Sequence, residues 1–223
     1  MKKVKNIVII PARGGSKRLL SKNIKLLGAI PLIAHSILYA KVNFVDRVIV
    51  TTDNAEIKKV AIKYGAEVID RPEKLANDNS PTIDTLKHVL ENINEPFSTI
   101  ILLQPTNPLR PKELLKNALS KFTEGNFDSL MTVTRSHQKF GKIIDDKFVP
   151  YTYEIGQRSQ DLDPLYFENG LLYITKSRLI EKGKILGEKN YPMIINHPYA
   201  SVDIDTQEDF ELAALYYQKK LNE

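Results

Sequence analysis

Short apolar runs recur along the chain, and the intervals between them carry helical spacing. Residues 6–10 (NIVII), 47–52 (RVIVTT), 66–69 (AEVI), 98–103 (STIILL) and 128–133 (DSLMTV) read as buried strands. Helical patterns fill 31–41, 54–64, 81–93 and 111–123. Two of these helices carry start signals. Asp53 with Glu56 has the spacing of a capping box. Ser80 before Pro81 sets a capping hydroxyl ahead of a proline at the first helical position. Strands alternating with helices predict an α/β fold with a mainly parallel sheet, whose ligands bind beyond the carboxyl ends of the strands.

The rhythm breaks near residue 135. Residues 136–165 mix His, Gln, Gly, Pro and Tyr, with weak alternation over 142–153, and predict a hairpin-like excursion. Residues 167–175 (FENGLLYIT) resume as a strand, 192–196 (PMIIN) add another, and 206–221 form a closing amphipathic helix. The domain division that follows is an α/β domain over 1–135 and 171–223, interrupted by an inserted lid or dimerisation arm over 136–170.

Composition narrows the classes. With 223 residues the chain suits one domain with a small appendage. It has no cysteine, which excludes disulfides, thiolate metal sites and a cysteine nucleophile. The basic, then apolar, start MKKVKNIVII passes too soon into Pro11 and a charged loop to be a signal peptide. No run approaches a membrane span, so the expectation is a soluble cytoplasmic protein without a membrane partner. The net charge of +5 is spread along the chain, with no basic tract interleaved with aromatics, so nucleic acid is not an expected partner. His35, His88, His137 and His197 have no metal-ligand spacing and receive no role.

The informative charge is local. The first strand runs into PARGGSKRLLSKN (11–23). Gly14 and Gly15 allow backbone amides close to an anion, Ser16 adds a hydroxyl, and Arg13, Lys17 and Lys22 can neutralise phosphoryl charge. Neither GxxxxGK[ST] nor GxGxxG is present, so this is neither a Walker loop nor a dinucleotide fingerprint. Gln104 follows a strand and offers both a donor and an acceptor. Asp203 and Asp205 alternate on an extended stretch, which turns both carboxylates the same way, as a hard cation such as Mg²⁺ requires.

ARGGSK at 12–17 with KN at 22–23 resembles the signature of the acylneuraminate cytidylyltransferases, the CMP-sialic acid synthetases. The likeness extends over nearly the whole chain. RP followed by LANDNSPTIDTL (75–86) is similar to the family's second nucleotide-contact region. LLQPTNPLR (102–110) is similar to its QPTSPLR, RSQDLDPLYFENG (158–170) to its RRQDLP…Y..NG, and DIDT is shared. The resemblance implies a Rossmann-like nucleotidyltransferase three-layer sandwich. It implies that Arg13, Gly14, Gly15, Ser16, Lys22, Asn23, Arg71, Ser80 and Thr82 hold CTP. It assigns Gln104, Thr106, Arg158 and Gln160 to a nonulosonic sugar acid, Asp203 and Asp205 to Mg²⁺, and typical homodimers to the arm. Two departures fall on the sugar side: Ser159 replaces the arginine before Gln160, and Phe167 stands where relatives often carry arginine.

The reaction so implied is attack of the anomeric 2-hydroxyl on the α-phosphorus of CTP, with Lys22, Arg13 and Asp203 as catalytic candidates. Whether Asp203 itself or a metal-bound hydroxide takes the proton stays open at this level. Two rival readings remain: an octulosonate cytidylyltransferase, whose family reads IPARxxSxRLPxK, and a non-catalytic nucleotide-sensing module.

Overall fold

The computed structural model describes residues 5–93 and 95–221. Its elements run β1 (Asn6–Pro11), β2 (Leu26–Leu27), β3 (Ile30–Pro31), α1 (Leu32–Ala40), β4 (Arg47–Thr52), α2 (Ala55–Lys63) and β5 (Glu67–Asp70). There follow α3 (Thr82–Glu91), β6 (Thr99–Leu102), α4 (Leu114–Glu124), β7 (Ser129–Ser136), β8 (Gly141–Ile144) and β9 (Lys147–Pro150). The chain closes with β10 (Leu165–Lys176), α5 (Ser177–Glu181), β11 (Asn190–Ile194) and α6 (Gln207–Leu221).

Seven strands form one sheet in the order β11-β7-β10-β6-β1-β4-β5. β1 pairs in parallel with β4 and β6, and β4 with β5. β10 runs antiparallel to both β6 and β7, while β11 is parallel to β7, so β10 alone opposes the common direction. The period-two alternation of β1 explains the layers. Val8 and Ile10 pack with Ile33 and Ile37 of α1, Ile57 and Ala61 of α2, and Leu115 and Ala118 of α4. Ile7 and Ile9 turn to the other face, onto Leu86 and Val89 of α3 and Ile180 of α5. Each such side chain, fully removed from water, contributes about 1.5–3 kcal/mol. A third cluster joins Leu27 and Leu32 to Tyr199, Val202 and Phe210, and so seats α6 beside the end of the loop after β1. The result is the three-layer α/β sandwich expected. Among the described residues no helix is long and apolar enough to cross a membrane.

Two start signals need correction. Asn54, not Asp53, caps α2: its Oδ1 accepts from the amides of Glu56 (2.9 Å) and Ile57 (3.0 Å). Asp53 instead accepts the Gly14 amide at 2.9 Å. Ser80 does not cap α3, which begins at Thr82 after Pro81; its hydroxyl donates to the Lys74 carbonyl at 3.0 Å. Asp53 is drawn away by a loop distant in sequence, and Ser80 by a carbonyl six residues back in its own segment.

Beyond β7 the chain forms the hairpin β8–β9, paired Gly141 to Pro150 through Ile144 to Lys147. Its turn residues Asp145 and Asp146 both have positive φ, 49° and 59°, the backbone of a two-residue primed turn that acidic side chains tolerate. Phe140, Ile143, Ile144, Phe148 and Val149 are exposed on this excursion, as are Leu165, Tyr166 and Phe167 at the start of β10, where it pairs with the end of β7.

Candidate functional site

The parallel strands deliver their carboxyl ends to one edge, and a cleft of about 310 Å³ opens there. Arg13, Ser16, Lys22 and Asn23 line it from the loop after β1, Arg71 and Ser80 from the segment between β5 and α3, and Thr82 from the start of α3. Gln104 and Thr106 enter from the end of β6, and Asp205 from the stretch before α6. Lys17, Arg18 and Asp78 complete its charged wall, giving five basic and two acidic linings.

The front loop is built by close contacts. A Cβ on Gly14 would stand 2.7 Å from Asn54 Cβ, so only glycine lets the loop lie against the start of α2. Gly15 has open space around it. Neither glycine lines the cleft itself. Asn23 is buried and donates to the Arg13 carbonyl at 2.9 Å, which closes the loop on itself. Lys22 has a side chain only 12% exposed. Its ammonium donates to the Ile204 carbonyl at 2.8 Å and to Asp205 Oδ1 at 2.9 Å. Arg18 holds the other oxygen of Asp205 at 2.6 Å. The front loop and Asp205 therefore share one wall.

Asp203 and Asp205 alternate with buried Val202 and Ile204, so both carboxylates turn away from the core. The α6 cap fixes this register. Asp209 accepts from the amides of Asp205 (3.0 Å) and Thr206 (2.8 Å), and its own amide donates to Thr206 Oγ1 at 3.2 Å. These donors, Thr206 first, hold the Asp209 carboxyl below the usual carboxylate range. Asp203 is exposed and is not among the residues that line the cleft, and its charge is felt at Tyr173. Burial, then the hydrogen bond to Glu168 and the negative charges of Glu168 and Asp203, push the Tyr173 hydroxyl pKa up. Among the described residues there is no group of three or more His, Cys, Asp or Glu side chains able to hold a metal. A pair of carboxylates fits Mg²⁺, which keeps waters and takes phosphate oxygens, and does not fit a metal that needs a complete protein cage.

Arg71 is buried and donates to the Thr51 carbonyl at 2.7 Å. Burial pushes its pKa down to about 10, with Arg13 adding to the effect and Asp53 opposing it, so it stays cationic at neutral pH. The loop after β6 is locked from below. Arg110 is 1% exposed. Its guanidinium donates to the carbonyls of Gln104 and Leu171, both at 2.6 Å, and to Ser36 Oγ at 3.0 Å. Asn107, fully buried, donates to the carbonyls of Asn169 (3.1 Å) and Val202 (2.8 Å), and so ties this loop to β10 and to the acidic stretch. At Gly170 the pairing of β10 with β7 shifts register, φ is +70°, and a Cβ would lie 2.8 Å from both Gln104 Oε1 and Asn107 Oδ1.

Arg158 and Gln160 are not brought to the cleft. Arg158 pairs with Asp161 at 2.7 Å on the exposed arm, and Gln160 is exposed beside it. Sequence reasoning missed Asp53, Asn107 and Asp78. None of the three carried a local signal, and Asp78 meets its basic partners only in the fold. Its carboxylate holds Arg13 (2.6 Å) and Lys17 (2.5 Å), and these donors, Lys17 first, keep its pKa low.

The mainly parallel seven-stranded sheet, with its cationic cleft at the carboxyl edge, is a fold shared with solved structures. A CMP:2-keto-3-deoxy-manno-octonic acid synthetase, solved in complex with CTP, superposes with a TM-score of 0.71 over 96% of this chain and 99% of that one, at 18% identity. The profile of the family described as Cytidylyltransferase matches residues 7–223, and the chain belongs to that family. It is 34% identical over 220 residues to the CMP-N,N'-diacetyllegionaminic acid synthase of Legionella pneumophila, covering 92% of this chain and 93% of that protein. It is also 34% identical over 227 residues to the N-acylneuraminate cytidylyltransferase of Escherichia coli O18:K1:H7, covering 98% of this chain but 53% of that protein's length.

Proposed function

We propose that the chain transfers CMP from CTP to the anomeric 2-hydroxyl of a nonulosonic sugar acid and releases pyrophosphate. The observation that carries this reading is the meeting of Lys22 with Asp205 at 2.9 Å, inside a cleft that also holds Arg13, Arg71 and Gln104. Arg13, Ser16 and Lys22 hold the triphosphate, supported by the Gly14-Gly15 turn. Asn23, Arg71, Ser80 and Thr82 bind the nucleoside end. Gln104 and Thr106 orient the sugar acid for in-line attack, which supplies several kcal/mol of the barrier. Asp203 and Asp205 hold Mg²⁺, which supplies charge neutralisation at phosphate oxygens. The proton of the attacking hydroxyl goes to Asp203, which is exposed to solvent, or to a metal-bound hydroxide.

Arg158 and Gln160 reach a sugar acid only if the arm of a second copy crosses to this cleft, and the exposed apolar residues of 140–149 and 165–167 give such a dimer its contact. A CTP-consuming reaction and a cysteine-free sequence both suit the cytoplasm. The full-length likeness to the Legionella protein puts diacetylated legionaminic acid first among acceptors to try.

The test is pyrophosphate release from CTP and Mg²⁺ against a panel of nonulosonic acids and 3-deoxy-manno-octulosonate. Release is expected with at least one nonulosonic acid and not with the octulosonate. CTP binding without release on any acid would replace this reading by nucleotide sensing.

Gly170→Ala tests the sugar side. The added methyl group collides with Gln104 and Asn107 at a positive φ. The expected result is a KM for the sugar acid raised roughly tenfold or more, with KM for CTP nearly unchanged. Equal changes in both constants would remove Gln104 from the acceptor subsite.

A further inference from the structure

The charged wall of the cleft is arranged as two triads. Asp205 is gripped by Lys22 and Arg18, and Asp78 by Lys17 and Arg13. Asp205 has a further duty in the proposed reaction, as a metal ligand. Asp78 has none: it contacts only cations that a triphosphate would need.

Its position is defined. Asp78 sits in the loop ahead of α3, and this loop is braced by its own bonds. Asn77 Nδ2 donates to the Lys74 carbonyl at 2.8 Å, and its Oδ1 accepts the Asn79 amide at 3.0 Å. Ser80 donates to the same Lys74 carbonyl at 3.0 Å. The carboxylate thus bridges the cleft from the α3 side to the loop after β1. The pairs are open to solvent, with Lys17 80% and Asp78 39% exposed at the side chain, so they exchange readily for other anions.

We propose that Asp78 is a built-in competitor for the phosphate subsite, which occupies Arg13 and Lys17 in the empty cleft and lowers the affinity for both CTP and product pyrophosphate. This rests on the reading of the cleft as a triphosphate site. An arriving polyphosphate must take both cations from Asp78, and afterwards lies beside a displaced negative charge. Both effects weaken retention, and both favour departure of pyrophosphate once it is formed.

The experiment compares wild type with Asp78→Asn and Asp78→Ala by calorimetry against CTP, inorganic pyrophosphate and cytidine. Kd for CTP and pyrophosphate is expected to tighten roughly three- to tenfold in both variants, while that for cytidine stays unchanged. In steady state, pyrophosphate inhibits the variants at correspondingly lower concentration. In a Lys17→Ala background the gain from Asp78→Asn shrinks, because one of the two contested cations is gone. Unchanged or weakened pyrophosphate binding in both Asp78 variants overturns the proposal and makes the carboxylate an orienting group or a bystander. A wild type that binds neither CTP nor pyrophosphate defeats the triphosphate reading and this inference with it, so the two failures are told apart.

Discussion

Lys22→Ala is expected to lower kcat/KM for CTP by at least about 10²-fold, the loss typical of one removed oxyanion donor. Lys22 is the least exposed cation in any ion pair of the cleft, and its ammonium is held at two points, Ile204 O and Asp205 Oδ1. A charge fixed in this way stabilises a phosphoryl oxygen without reorganising first. Lys22→Arg should rescue little, because a planar fork cannot occupy a place shaped for a compact ammonium. The measurement is steady-state kinetics with CTP varied, alongside a melting curve that shows the variant folded. A kcat/KM within a few-fold of wild type would take Lys22 out of the triphosphate site.

Asp205→Ala separates turnover from affinity. Its carboxylate is both half of the acid pair and the partner of Lys22 and Arg18. Removing it deletes a proposed ligand for Mg²⁺, and kcat is expected to fall about 10²- to 10³-fold. The same change leaves two cations without their internal anion, so Kd for CTP stays level or tightens. Calorimetry and single-turnover rates, read together, decide the matter. A variant with near-normal turnover in Mg²⁺ means that the ion is held elsewhere; loss of CTP binding equal to loss of rate means that Asp205 only shapes the pocket.

The strand–helix frame was readable because parallel strands buried on both faces leave continuous apolar runs such as NIVII and STIILL. The glycine loop and DIDT were readable because their chemistry is local to a few consecutive residues. What escaped is long-range. Asp53 and Asn54 are chemically equivalent as caps in sequence, and only the arrival of Gly14 decides that Asp53 faces the front loop. The β8–β9 turn was hidden because Asp145-Asp146 adopts positive φ without a glycine to announce it. Arg110 reads as a surface charge, yet it lies under the loop after β6 because three oxygens from separate elements converge on it. The Asp78 contacts depend on two loops about sixty residues apart meeting across a cleft, which no spacing rule encodes.

The double anchoring of the QPTN segment by Arg110 and Asn107 has a bearing on how substrate preference in such a chain is altered. Any exchange at those two buried anchors strands carbonyls away from water and unsettles Gln104 and the DIDT stretch together. Swaps belong instead at solvent-facing places on the arm outside the cleft, such as Arg158, Gln160 and Phe167, where side-chain identity can drift while the polypeptide path beneath stays put.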